Sequence, residues 1–136
     1  MVLAIVGALA LGVLASVSAA GGDRGKKGKR SFEVKLSGFE EVPAISTAAR
    51  GKIKVKIRNG STGTIDYRLS YSGLTNPATQ AHIHLGQKSV NGGIVLWLCG
   101  TTPAFPGPAG TPACPAGNTA TKETVSGTLD AADVGE

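Results

Sequence analysis

The chain has 136 residues, room for one domain, and its first thirty residues differ so sharply from the remainder that the folding unit is nearer about a hundred. Aromatic residues make up only 4 % of the chain while 20 residues are glycine, a mixture that excludes long packed helices and suits short strands joined by tight turns. Of the formal charge of +5, the segment Asp23 to Arg30 holds +4 and residues 31–136 keep only +1, so the domain average excludes a broadly basic nucleic-acid binder.

From the start of the chain, residues 2–20 are uncharged, rich in Ala and Leu, and end in small residues at Ala19 and Ala20. This predicts a signal peptide over 1–20, with cleavage near its end and export of the mature chain. Only an uncleaved copy of that segment would give the protein a membrane contact, since nineteen apolar residues just span a bilayer. Residues 21–31 form a Gly-spaced basic linker, expected to be solvated, in which Lys27-Gly28-Lys29-Arg30 also offers a dibasic processing site. The β domain then occupies 32–136.

Within it, alternation of apolar and polar side chains recurs segment after segment. Phe32 to Leu36 alternates and Pro43 closes its extended run. Arg50 to Arg58 places Ile53, Val55 and Ile57 on one face and Lys52, Lys54, Lys56 and Arg58 on the other. Asn59-Gly60-Ser61-Thr62-Gly63 tolerates positive φ and predicts a hairpin returning through Thr64 to Tyr71, with Ile65, Tyr67, Leu69 and Tyr71 inward. Asn59-Gly60-Ser61 is also a glycosylation sequon, usable only in a eukaryotic secretory pathway. Gln80 to Leu85 predicts a short strand. Gly93 to Cys99 is almost wholly apolar, which predicts a central strand covered on both faces. Glu123 to Leu129 predicts a sixth strand, followed by Asp130 as the N-cap of a turn or helix start. Together these segments predict an all-β fold, an antiparallel sandwich or barrel.

Cys99 and Cys114 are the only cysteines, and an even count in an exported chain predicts one disulfide. Between them lie Pro103, Pro106, Pro108 and Pro112 with no apolar period, so the bridge is expected to tie down a floppy loop. Metal ligation by two cysteines alone is the alternative.

Both histidines fall in Ala81-His82-Ile83-His84-Leu85-Gly86. On a strand they project from the same side, with Cα atoms about 6 to 7 Å apart, a spacing that suits copper or zinc. A complete site needs three or four ligands, so a third would come from Asp66, a tyrosine, another carboxylate, or another chain. Otherwise the two imidazoles simply hydrogen-bond within the sheet, with no metal. There is no Gly-x-Ser-x-Gly, no phosphate-binding Gly loop and no cysteine free to pair with histidine once the disulfide forms. Glu40 and Glu41 are adjacent and point apart on an extended chain, so paired-acid chemistry is not expected, and no catalytic residue is assigned. Trp97 and Tyr71 are in phase with apolar neighbours and are expected in the core rather than as a stacking platform.

Leu36-Ser-Gly-Phe-Glu-Glu-Val-Pro43, Thr47-Ala-Ala-Arg-Gly51, Tyr67-Arg-Leu-Ser-Tyr-Ser-Gly-Leu74 and Ala81-His-Ile-His-Leu-Gly86 with Asn91-Gly92 resemble, in order, the motifs of the CHRD domain family, the module named after chordin. Cys99, Cys114-Pro115 and Val125-Ser-Gly-Thr-Leu129 are similar to the continuation in stand-alone exported bacterial members. The resemblance implies a Greek-key-like β-sandwich, similar in architecture to copper-zinc superoxide dismutase, with a histidine strand like that enzyme's copper-ligand strand. It also implies a helical region and a last strand with another histidine beyond Glu136, so the domain is expected to be incomplete at its C-terminus. In chordin the module belongs to a binder of secreted growth factors, which implies an interaction role.

The expectation is thus an exported, non-catalytic binding module, secreted or at the cell surface or periplasm. In it His82 and His84 are the candidate ligands for part of a copper or zinc site, the module otherwise taking no cofactor, and the expected partner is an extracellular protein or surface polymer, not nucleic acid. A copper-dependent dismutase-like redox enzyme and a purely structural surface or matrix protein are the alternatives. Self-association through an exposed strand edge is expected if strands are missing.

Overall fold

The structure is a computed structural model that describes residues 30–58, 63–87, 89–115 and 121–135. The expected signal peptide, most of the basic linker and the Asn59-Gly60-Ser61-Thr62 turn with its sequon lie outside the described residues.

Six strands follow in order: β1 (Arg30–Ser37), β2 (Arg50–Arg58), β3 (Thr64–Ser72), β4 (Ala81–Leu85), β5 (Gly93–Cys99) and β6 (Glu123–Leu129). β1 takes in Arg30 and Ser31, which composition alone assigns to the linker. Short 3-10 turns at Gly38–Glu40 and Ala131–Asp133 are the only helical elements described, and none is long and apolar enough to cross a membrane. Asp130 caps the second turn as expected: its carboxylate accepts from the Ala132 N–H, and Asp133 accepts from the Asp130 N–H.

All pairings between named strands are antiparallel. β1, β2, β3 and β6 form one sheet in that order, and β4 pairs with β5 in a second, so the chain leaves the first sheet after β3 and returns to it as β6. This is the predicted all-β sandwich. Its core is set by register, because the apolar positions of all four strands fall in line: Val34 faces Ile53, Ile53 faces Leu69, and Leu69 faces Val125. Leu69 is wholly buried at the centre of that row.

Tyr67 joins the sheets. It is buried, and its hydroxyl donates to the Leu98 carbonyl on β5 at 2.5 Å. Tyr67→Phe removes that donor and leaves a buried carbonyl short of a partner, so a loss of about 1–3 kcal/mol is expected in urea unfolding. An unchanged midpoint would mean that the bond contributes nothing to joining the layers.

β5 departs from expectation. It is not a central strand: it pairs with β4 in a two-stranded sheet, and Ile94, Val95, Leu96 and Trp97 are only half-buried. The register explains its lack of alternation. Ala81 pairs with Cys99 but His82 with Trp97, and Ile83 pairs with Leu96 but His84 with Ile94, so Leu98 and Val95 are extra residues in β5. Each bulge slips the side-chain period by one, so a strand with two bulges looks uniformly apolar without being covered on both faces.

Candidate functional site

The bulged β4–β5 ladder sorts its side chains onto two sides. Ile83 and Leu96, cross-strand partners, pack against the buried cluster that includes Ala81, Leu98 and Cys99. On the other side stand His82, His84 and Trp97. The imidazoles meet edge to face with ring centroids 4.6 Å apart, and the His82 ring meets the Trp97 indole in the same way at 5.4 Å.

Both rings carry a nitrogen with no hydrogen-bond partner although it is buried: Nδ1 of His82 and Nε2 of His84. His84 Nδ1 lies 2.7 Å from the Gly92 carbonyl, which can only accept, so this nitrogen donates and Nε2 keeps the lone pair in the neutral ring. Gly92 makes that approach possible, because a Cβ there would collide with the carbonyl of Leu85 across the β4–β5 turn. His82 is 4 % exposed, and burial, helped by the neighbouring His84, pushes its pKa from 6.5 down to about 4. At neutral pH it is therefore uncharged and able to act as a ligand.

The segment between the cysteines closes over this side. Cys99 and Cys114 form the expected disulfide, 15 residues apart. The enclosed loop is more ordered than its composition predicts: the Gly100 N–H donates to Pro112, the Cys114 N–H donates to Gly100, and Thr101 and Phe105 exchange both backbone bonds. Gly107, at φ +68°, lies against the Trp97 ring, where a Cβ would sit 2.9 Å from Cε3. Trp97 is thus half-buried between His82 and this loop rather than part of the core, whereas Tyr71 is a core residue at 4 % exposure. Composition could not foresee the Trp97 contact, since it depends on the bulge that sets Trp97 opposite His82.

Asp66 does not join the pair. Its carboxylate accepts from the Arg58 guanidinium at 2.6 Å and from the Thr128 hydroxyl at 3.0 Å, and the Arg58 bond holds its pKa below the usual carboxylate range. Asp66 belongs to the outward face of β3, opposite Lys56, and no group of three or more His, Cys, Asp and Glu side chains placed to hold a metal occurs among the described residues. Glu33 is likewise taken up, with its carboxylate drawn down by Lys52 and Lys54 at 3.0 and 3.2 Å.

No curated protein and no solved structure matches this chain. The family model of the CHRD domain, however, matches residues 32–135, which takes in five of the six strands whole, most of β1, both histidines and the disulfide. The chain belongs to the CHRD domain family.

Proposed function

We propose that this CHRD domain is an exported, non-catalytic interaction module in which His82 and His84 supply two imidazole ligands to copper or zinc. The family membership supports an interaction role, and the disulfide fits an oxidising, extracytoplasmic compartment. One observation carries the metal reading: two adjacent imidazoles each bury an unpaired nitrogen, one of them a lone pair fixed by the Gly92 carbonyl. An unsatisfied buried polar atom costs about 1–3 kcal/mol, and metal ligation would offset that cost. Imidazole nitrogen suits both copper and zinc. With two protein ligands in reach, the remaining positions would be filled by water or by a group from a binding partner, which suits a recognition role.

Titration of the chelator-treated protein with copper and with zinc tests this. One equivalent should bind and raise the unfolding free energy, by about 2.7 kcal/mol at a free metal concentration 100 times Kd. The His82→Ala/His84→Ala variant should lose both effects. Equal uptake by the variant, or none by either protein, would remove the metal site and leave a structural histidine pair. The dismutase alternative requires activity above that of free metal.

A further inference from the structure

We propose that the outer face of the β1–β2–β3–β6 sheet is a docking surface for an extended acidic polysaccharide. The proposal rests on the reading of the domain as an interaction module and gives that module its partner.

Period-two geometry and register gather the charge that the domain average hides. Arg50, Lys52, Lys54, Lys56 and Arg58 form one row on the outward side of β2, with alternate Cα atoms about 6.8 Å apart. Register adds Lys35 from β1 and Arg68 from β3 to the same face. Against these seven cations stand two carboxylates, Glu33 and Asp66, so a face of +5 lies on a domain whose whole charge is about +1. Lys35, Lys56 and Arg68 make no salt bridge among the described residues.

Solubility alone does not explain the row. Lysines that guard against aggregation belong on edge strands, whereas β2 is an interior strand hydrogen-bonded on both sides. Like charges also stand directly opposite each other, Lys35 facing Lys52 and Lys54 facing Arg68, an arrangement that destabilises a sheet. A bound polyanion relieves that repulsion.

The face also selects among polyanions. Its other positions are hydroxyls, including Ser31, Ser70, Thr124, Ser126 and Thr128, which suit hydrogen bonding to sugars. Among the described residues of these strands it presents no aromatic ring for stacking bases and no apolar residue for entering a bilayer, since register keeps their aromatic and aliphatic positions, Phe32 and Ile57 included, in phase with the core row. The disulfide fits the exported location of the proposed module, where sugar polymers are available polyanions.

Binding of the full chain to heparin and to alginate at about 0.15 M salt tests the proposal and separates sulfated from carboxylated chains. Lys54→Gln/Lys56→Gln/Arg68→Gln should weaken binding roughly 30- to 100-fold, whereas Lys54→Arg/Lys56→Arg should retain it. The proposal is overturned if Lys26→Gln/Lys27→Gln/Lys29→Gln in the linker abolishes binding while the face triple does not. It is equally overturned if duplex DNA or vesicles with about 30 % phosphatidylserine bind as tightly, or if neither polysaccharide binds. In that last case an unchanged copper titration of His82 and His84 would show that the module reading stands without this partner.

Discussion

Replacing Cys99 and Cys114 together by serine is expected to lower the unfolding free energy by about 3 kcal/mol, the loop-entropy value for a closed loop of about fifteen residues. That is a large share of the roughly 5–15 kcal/mol that holds a domain of this kind folded. The bridge does more than shorten the unfolded chain. Cys99 is wholly buried at the end of β5, next to the bulge at Leu98 that receives the Tyr67 hydroxyl, and Cys114 leads to Pro115, whose carbonyl accepts from Tyr71 at 3.2 Å. The same loop brings Gly107 onto Trp97. Since Trp97 is the only tryptophan, its fluorescence reports on the loop directly. Reduction should red-shift that emission below the global unfolding midpoint, as the loop lifts before the sheets part. A double variant losing less than about 1 kcal/mol, with unchanged emission, would show that the loop's own hydrogen bonds suffice.

The first sheet was legible in the sequence because each strand alternates cleanly and the strands share one phase. Ile53, Leu69 and Val125 occupy the central register row that their periodicity assigns them, and Glu123–Leu129 has the predicted bounds. β5 was not legible. Its two bulges spend residues without advancing the pairing, and a bulge leaves no mark that composition can distinguish from burial on both faces. The histidine pair was half legible. Period two places His82 and His84 together, but the Gly92 contact that orients His84 and the Trp97 contact that shields His82 both come from the partner strand and its turn. The basic face was present in the alternation of β2 all along, yet the net charge masked it because Glu40, Glu41, Glu123, Asp130 and Asp133 lie elsewhere on the domain. Only register shows that Lys35 and Arg68 stand beside the β2 row on the same face.

The second large effect is on pH dependence and follows from His82. With metal removed by chelator, folding stability is expected to fall by about 3 kcal/mol between about pH 7.5 and about pH 4. The sign follows from burial: His82 titrates near 4 in the folded chain and near 6.5 when unfolded. Above 6.5 both states leave the ring neutral and stability is complete. Below it the unfolded chain takes a proton that the folded chain refuses, so stability drains away at about 1.4 kcal/mol per pH unit until the folded-state value is reached. Glu33 and Asp66, whose carboxylates are drawn down by Lys52, Lys54 and Arg58, add their own losses only toward the acid end of this range. His82→Phe keeps an aromatic ring against Trp97 and removes the titrating group. The variant should therefore flatten the profile from pH 6.5 down to about 4.5, leaving less than about 1 kcal/mol, while the carboxylate losses remain. Equal slopes for the two proteins in that window would mean that the ring opens to solvent in the native state, and the shielding by Trp97 and the disulfide loop would then be incomplete.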